Sequence, residues 1–287
     1  TAYWPAQGHK STGGKTAEKA LWAKWIEPTL GQIPLKEITA IDLEKIKKTM
    51  LDTELSPATI KYAMAVVSQI WTMAQQDGFV NTPSPTKLIA LPKKDNRRQR
   101  YLSKSEAEKL LNSLFNRSKI SHDMSILAMD CGLRFGEIAK LTWQDCSFES
   151  ERLFIRDPKG EINRFAFMTP RVKDMLLSLY PGEAAASGLI FKTKTGTMFD
   201  RIPKPFREVA NELFNQNVPD KRMRVCFHTL RHTFASWLVE GGTNLYTVKE
   251  LMGHSDIEMT QRYSHLSPES LKAAIKILSN AENEQHE

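Results

Sequence analysis

Two arginines, a lysine, two histidines and a tyrosine, far apart in the chain, share one chemical character. They are Arg134 in "GLRFGE", Lys159 in "DPKGEIN", His228 and Arg231 in "HTLRH", and His254 and Tyr263 in "GHSDIEMTQRYSHL". The set contains no acidic pair of the kind glycoside hydrolysis needs. It suits a phosphodiester. Attack at phosphorus loads negative charge onto the non-bridging oxygens, and a guanidinium is permanently cationic with a planar fork that matches two of them. Two such forks can clamp the phosphate and stabilise the transition state with no metal or cofactor. A lysine on a hairpin can protonate the poor alkoxide leaving group. Tyrosine is a covalent nucleophile, feeble at its free pKa of about 10. Neighbouring arginines and histidines favour its phenolate and can take its proton. The polar neighbours of Tyr263, namely Gln261, Arg262, Ser264 and His265, lead us to expect an exposed phenol that meets its substrate at the surface.

Blander readings of the same residues need weighing. His228 and His232 are four apart, a spacing that can hold zinc on a helix. No glutamate follows the first histidine and no cysteine stands at ligand spacing, so no metal is expected. His232 reads as structural and His265 as a solvated neighbour of the tyrosine. Arg134 follows Gly132 at an expected helix entrance, which favours anion contact over a surface ion pair. Glu137, one turn on, reads as a brace for that arginine. "KRMR" (221–224) fits a backbone contact and a charged loop equally well.

The elements that must position these groups fall into two sets. Residues 1–92 read as a helical domain. "KTAEKALWAKWIEPTL" puts Leu21, Trp22, Trp25 and Ile26 on one face, and "ITAIDLEKIKKTML" puts Leu43, Ile46 and Met50 together. A third helix starts at Ser56–Pro57, carries Ile60, Met64, Val67, Trp71 and Ala74 at helical spacing, and stops at Gly78. "NTPSPTKLIALPKKDNRRQR" (81–100), with three prolines and a cation run, is the expected boundary, and residues 93–102 the linker. Its Lys93, Lys94, Arg97, Arg98 and Arg100 form a basic strap suited to phosphates, or a solvated linker. A second domain (103–267) opens on a Ser103/Glu106 capping box. "RLFIR" and "RFAFMT" alternate like strands around the turn "DPKGEIN", and "GLIF" (188–191) is a candidate third strand. Helices return at "PRVKDMLLSLY", "PKPFREVANELF", "HTLRHTFASWLVEGG" and "LYTVKELMG". Ser255 and Glu258 suggest a capping box opening a short helix that carries Tyr263. Residues 268–287 read as a terminal amphipathic helix and an acidic tail. The fold class is therefore mainly α, with a small antiparallel sheet in the second of two domains.

Composition agrees. The chain has 287 residues, 41% hydrophobic and 25% charged, an ordinary globular balance with room for two modest domains. Forty Lys and Arg against 33 Asp and Glu leave a charge of +7, which suits a polyanionic partner. Cys131, Cys146 and Cys226 are too few and scattered for a disulfide framework, so reduced thiols in a cytoplasmic protein are expected. No stretch is apolar enough for a membrane span or a signal peptide. The chain opens on Thr1 and not on methionine, so a trimmed chain is expected.

"GLRFGE", "HTLRH" and "LMGHSDIEMTQRYSHL", in this order and spacing, closely resemble the tyrosine recombinase, or phage integrase, family over residues 103–266. Residues 15–92 resemble its helical core-binding domain. The resemblance implies a two-domain, C-shaped clamp on double-stranded DNA. It implies that Arg134 and Arg231 bind the scissile phosphate, that His228 handles protons near the nucleophile, and that His254 contacts the phosphate. Tyr263 would form a 3′-phosphotyrosine link. The family's hairpin lysine, which protonates the leaving 5′-oxygen, falls on Lys159, with Lys192 and Lys194 near another turn as rivals. A homotetramer at a synapse, weakly associated or monomeric without DNA, is implied, with the C-terminal segment exchanged between protomers and DNA-bending accessory proteins as further partners. The expected function is site-specific recombination through a Holliday junction, as in integration of a phage or mobile element. Chromosome-dimer resolution, type IB topoisomerase action and a catalytically silent DNA-binding relative are the alternatives.

Overall fold

The computed structural model describes residues 3–6, 8, 10, 12–92, 100–156, 163–182 and 187–266. The chain divides into two compact units, residues 1–96 and 97–287. Among the described residues the architecture is mainly helical, with one three-stranded antiparallel sheet in the second unit.

The first unit comprises α1 (Tyr3–Ala6), α2 (Thr12–Leu21), a π-helical turn (Trp22–Ile26) that continues into α3 (Glu27–Leu30), α4 (Ala40–Asp52) and α5 (Pro57–Gln76). The caps are written in the sequence. The Thr39 backbone N–H and hydroxyl both donate to the Asp42 carboxylate, at 3.1 and 2.8 Å. Ser56 Oγ accepts from the Thr59 N–H at 3.2 Å, and Pro57 occupies the first turn, where an N–H would be orphaned anyway. Ile60, Met64, Val67, Trp71 and Ala74 are all buried, against a face built from Ile26, Leu43, Ile46 and Met50. Each large side chain so buried contributes about 1.5–3 kcal/mol. The proline-bearing stretch after α5 is more ordered than its composition suggests: Pro85–Leu88 form a 3₁₀ turn, and Ile89 is buried in the same core.

The second unit begins with α6 (Lys104–Arg117), whose Ser103 and Glu106 satisfy each other's backbone N–H groups. There follow α7 (Lys119–Asp130), α8 (Phe135–Lys140), β1 (Cys146–Ser147), β2 (Arg152–Ile155), β3 (Arg164–Phe167), α9 (Pro170–Leu179), α10 (Lys204–Ala210) with a π turn at Asn211–Asn215, α11 (Phe227–Glu240), α12 (Leu245–Met252) and α13 (Glu258–Gln261). The strands lie in the order β1-β2-β3, with Leu153 opposite Ala166 and Phe154 opposite Phe165. Leu153, Ile155 and Ala166 enter the core, while Phe165 and Phe167 face outward beside the Arg152 guanidinium.

Two local expectations need correction. "GLIF" is not the third strand. Leu189 makes a single isolated bridge to Thr142, and the third strand is Cys146–Ser147, too short to show any alternation in sequence. The Ser255/Glu258 capping box does not form. Asp256 Oδ1 accepts the Glu258 N–H instead, and α13 ends at Gln261, so Tyr263 lies just beyond it.

α11 runs through the second unit against α7. The Thr233 hydroxyl accepts the Leu102 N–H at 2.9 Å, and the Trp237 indole donates to the Leu102 carbonyl at 3.0 Å. The segment before α6 is thereby laced to the helix that bears His228, Arg231 and His232.

Candidate active site

Arg134 sits at the entrance of α8. It gets there because Gly132 turns the chain with φ +64°, a conformation open to glycine at little steric cost. A Cβ at Gly132 would lie 2.6 Å from the Phe234 ring on α11, so the backbone approaches this helix closely. The freed Gly132 carbonyl accepts a hydrogen bond from Arg231 Nη1, and the Met252 carbonyl accepts one from Nη2, both at 2.5 Å. Arg231 is 1% exposed. Its guanidinium is held by two chain ends, one before α8 and one closing α12.

Glu137 organises the cations. Its carboxylate accepts from Arg134 Nη1 at 2.9 Å and from the Arg134 backbone N–H at 2.7 Å. Arg164, the first residue of β3, forks onto the same carboxylate at 2.9 and 3.0 Å, and Arg231 Nη1 lies 3.8 Å away. Burial alone would lift this carboxyl. Hydrogen bonds and charge from Arg164, the Arg134 backbone N–H and the charge of Arg231 outweigh it and push the carboxyl down to about 2. Three guanidiniums around one carboxylate leave a surplus of positive charge. Burial and the neighbouring Arg134 push the Arg231 guanidinium down to about 9, which keeps it cationic at neutral pH. The Nε atoms of Arg164 and Arg262 are buried with no hydrogen-bond partner among the described residues. Buried donors left open in this way mark a place where an anion fits.

Gly253 ends α12 in the left-handed region, φ +61°, and a Cβ there would lie 2.5 Å from Arg164 Cδ. This glycine both turns the helix and leaves room for Arg164. His254 follows directly, with Nδ1 2.8 Å from the buried Thr260 hydroxyl. Burial, reinforced by Arg231, Arg134, Arg262 and Arg164, pushes the imidazole down to about 3, so it is neutral at physiological pH.

Tyr263 departs from expectation. It is 4% exposed, in a small cluster with Ala235, Val239, Val248 and Met252. Its hydroxyl lies 2.5 Å from Nδ1 of His232. Burial pushes the phenol up to about 12, beyond the lowering influence of Arg262 and Arg231. The two arginines favour the phenolate, as expected, but burial outweighs them and the phenol stays protonated at neutral pH. The turn after α13 points this one residue inward while Ser264 and His265 stay exposed.

His232, which reads as structural in the sequence, is thus on the phenol. His228 is exposed one turn earlier on α11, with its ring 4.7 Å from that of His232, edge to face. Arg164 was missed, although a signal existed. It shares a strand face with Ala166, which points into the core, and a charged residue on that face needs a reason. Lys159, Lys93, Lys94, Arg97 and Arg98 lie outside the described residues, as do residues 268–287. Arg100 forks onto Glu106 at 2.5 and 3.2 Å. Lys192 and Lys194 are among the described residues, on the loop before α10, and Lys194 is exposed. Among the described residues, no three His, Cys, Asp or Glu side chains are grouped to hold a metal ion, and no helix is long and apolar enough to cross a membrane.

The arrangement can bind a tetrahedral anion at Arg134 and Arg231, offer it a neutral imidazole at His254, and hold a phenol nearby. The chain as a whole is similar to known proteins. Tyrosine recombinase XerA of Saccharolobus solfataricus is 29% identical over 184 residues, taking in 63% of this chain and 57% of that protein. Tyrosine recombinase XerC of Natranaerobius thermophilus is 26% identical over 80% of this chain and 79% of its own length. The integrase of Haemophilus phage HP1 is 26% identical over 88% and 72%. The Tn1549 transposon integrase, solved in complex with transposon right end DNA, has the same fold, with a TM-score of 0.76 at 20% identity over 96% of both chains. A lambda integrase dimer bound to a COC′ core site gives 0.69 at 16% identity, over 91% of this chain and 76% of that one. The model of the phage integrase family matches residues 100–270, more than half of the chain, and the chain belongs to that family of tyrosine recombinases.

Proposed function

We propose that this chain is a site-specific DNA recombinase of the integrase kind, acting on double-stranded DNA. One observation carries the reading. Arg134 and Arg231, remote in sequence, meet around Glu137, and His254 and Tyr263, from a third part of the chain, lie within reach of the Arg231 charge. The scissile phosphate sits between the Arg134 and Arg231 forks, where the surplus positive charge stabilises the additional negative charge of the transition state. Neutral His254 donates a hydrogen bond to a non-bridging oxygen. The Tyr263 oxygen attacks phosphorus, the bond to the 5′-oxygen breaks, and the strand is held as a 3′-phosphotyrosine. The leaving 5′-oxygen takes its proton from a lysine between β2 and β3, for which Lys159 is the candidate. The phosphotyrosine keeps the bond energy, so rejoining to a partner strand needs no ATP, and two rounds pass through a Holliday junction.

Residues 1–92 act as the second DNA-binding domain, joined by a linker at 93–102 whose Lys93, Lys94, Arg97 and Arg98 lie along phosphates. Four protomers assemble at the synapse, with residues 268–287 exchanged between neighbours, in the bacterial cytoplasm. Names among the relatives support the integrase reading, which include phage and transposon integrases beside Xer recombinases.

The test uses a library of nicked duplexes with a randomised core, in which the released 5′ fragment diffuses away and covalent product is trapped. The wild-type chain should give a denaturation-resistant protein–DNA adduct and Tyr263→Phe none. An adduct that survives Tyr263→Phe would place the nucleophile elsewhere. Relaxation of a plasmid lacking any selected site would favour topoisomerase action instead.

A further inference from the structure

We propose that His232, rather than His228, accepts the proton of Tyr263 during attack, through the hydrogen bond that already joins them. The inference rests on the recombinase reading above.

The geometry separates the two histidines. His232 Nδ1 is at contact distance from the Tyr263 hydroxyl, and both residues are buried, at 5% and 4% exposure. His228 lies one turn earlier, exposed, and its ring meets the ring of His232, not the phenol. A buried phenol does not ionise ahead of attack, so the proton leaves together with bond formation and goes to a base already in hydrogen-bond contact. In the tautomer with its hydrogen on Nε2, His232 offers Nδ1 as that acceptor. Among the described residues, His228 and Arg231 on α11 and Arg262 beside the tyrosine lie around the pair. The charges of Arg231 and Arg262 oppose an imidazolium until the phosphate brings compensating negative charge.

The step balances. The Tyr263 O–H bond breaks and its proton moves to Nδ1 as the O–P bond forms. The P–O5′ bond breaks, and the 5′-oxygen takes a separate proton from the leaving-group acid. On rejoining, the incoming 5′-hydroxyl gives up its proton to that acid, the O–P bond to tyrosine breaks, and His232 returns its proton to the phenol.

Single-turnover adduct formation on the nicked duplexes tests this. In His232→Asn the side-chain amide takes the place of Nδ1, keeping a hydrogen bond to the phenol while being unable to take a proton. We expect DNA binding to persist and adduct formation to slow by about 100-fold or more. His228→Asn should lose less. Difluorotyrosine in place of Tyr263, whose phenol is more acidic, should shrink the defect of His232→Asn, an effect that repair of packing would not produce. Wild-type rates in His232→Asn, or rescue of His228→Asn instead, would overturn the assignment and leave the recombinase reading standing. No adduct from the wild-type chain would overturn that reading and the inference with it.

Discussion

At the scale of single residues, Glu137 decides whether the cationic site can exist. Three guanidiniums cannot share so small a volume without an anion between them. Glu137→Gln removes the charge and leaves Arg164 and Arg231 buried and repelling. Breaking a buried pair from one side costs about 3–5 kcal/mol. Urea unfolding at neutral pH should show a loss of this size. The carboxyl is held at about 2 in the folded chain, below its unfolded value of about 4.3. Its stabilisation is therefore fully present above the unfolded value and is lost as pH falls through the folded one. The gap between wild type and Glu137→Gln should narrow steadily below about pH 4.3. A gap that stays constant would mean that Glu137 does not hold the arginines together. Sequence spacing singled out Arg134, His228, Arg231, His254 and Tyr263 as candidates, because their types and order suit phosphodiester chemistry, and the fold brings Arg134 and Arg231 onto one carboxylate. Spacing did not reveal that His232 touches the Tyr263 hydroxyl, since that contact joins two residues 31 apart in the chain. The burial of Tyr263 was hidden by its polar neighbours: the pocket that takes it is made by Ala235, Val239, Val248 and Met252, contributed by other helices.

At the scale of elements, two glycines let the helices close on the arginines. Gly253→Ala would strain a left-handed residue by about 1–2 kcal/mol and push Arg164 off Glu137. Gly78, at φ +75°, has the same backbone requirement but open space around it. The contrast isolates packing from strain. Thermal melting should show Gly78→Ala losing only the backbone strain, and Gly253→Ala losing more. Gly253→Ala should also lower adduct formation, since His254 is the next residue. Equal effects at both positions would show that the approach of Arg164 to Gly253 is unimportant. Caps and apolar stripes were legible at this scale, as at Ser56, Ser103 and the Ile60-to-Ala74 face, because they depend on neighbours in sequence. The third strand was not. Cys146–Ser147 is positioned by its partner Leu153 across the sheet, and nothing in two residues can reveal a pairing.

At the scale of the whole molecule, the surplus of 40 basic over 33 acidic residues suits the proposed DNA-binding role, in which phosphate contacts should supply much of the affinity. Binding to a duplex should weaken by about 10³–10⁵ between 50 and 200 mM salt if six to ten phosphates are engaged. Salt-insensitive binding, measured by fluorescence anisotropy, would rule out a backbone-tracking interface. On the proposal that residues 1–92 form a second DNA-binding domain, a chain ending before residue 97 should keep only a fraction of the salt dependence. The most direct measurement is protease digestion of the trapped protein–DNA adduct followed by mass spectrometry of the modified peptide. A nucleotide-phosphate addition on the peptide that holds Tyr263, at the phenol oxygen, is the expected result. The same mass on any other residue, or its absence from a chain that still joins strands, would contradict a phosphotyrosine mechanism at this site.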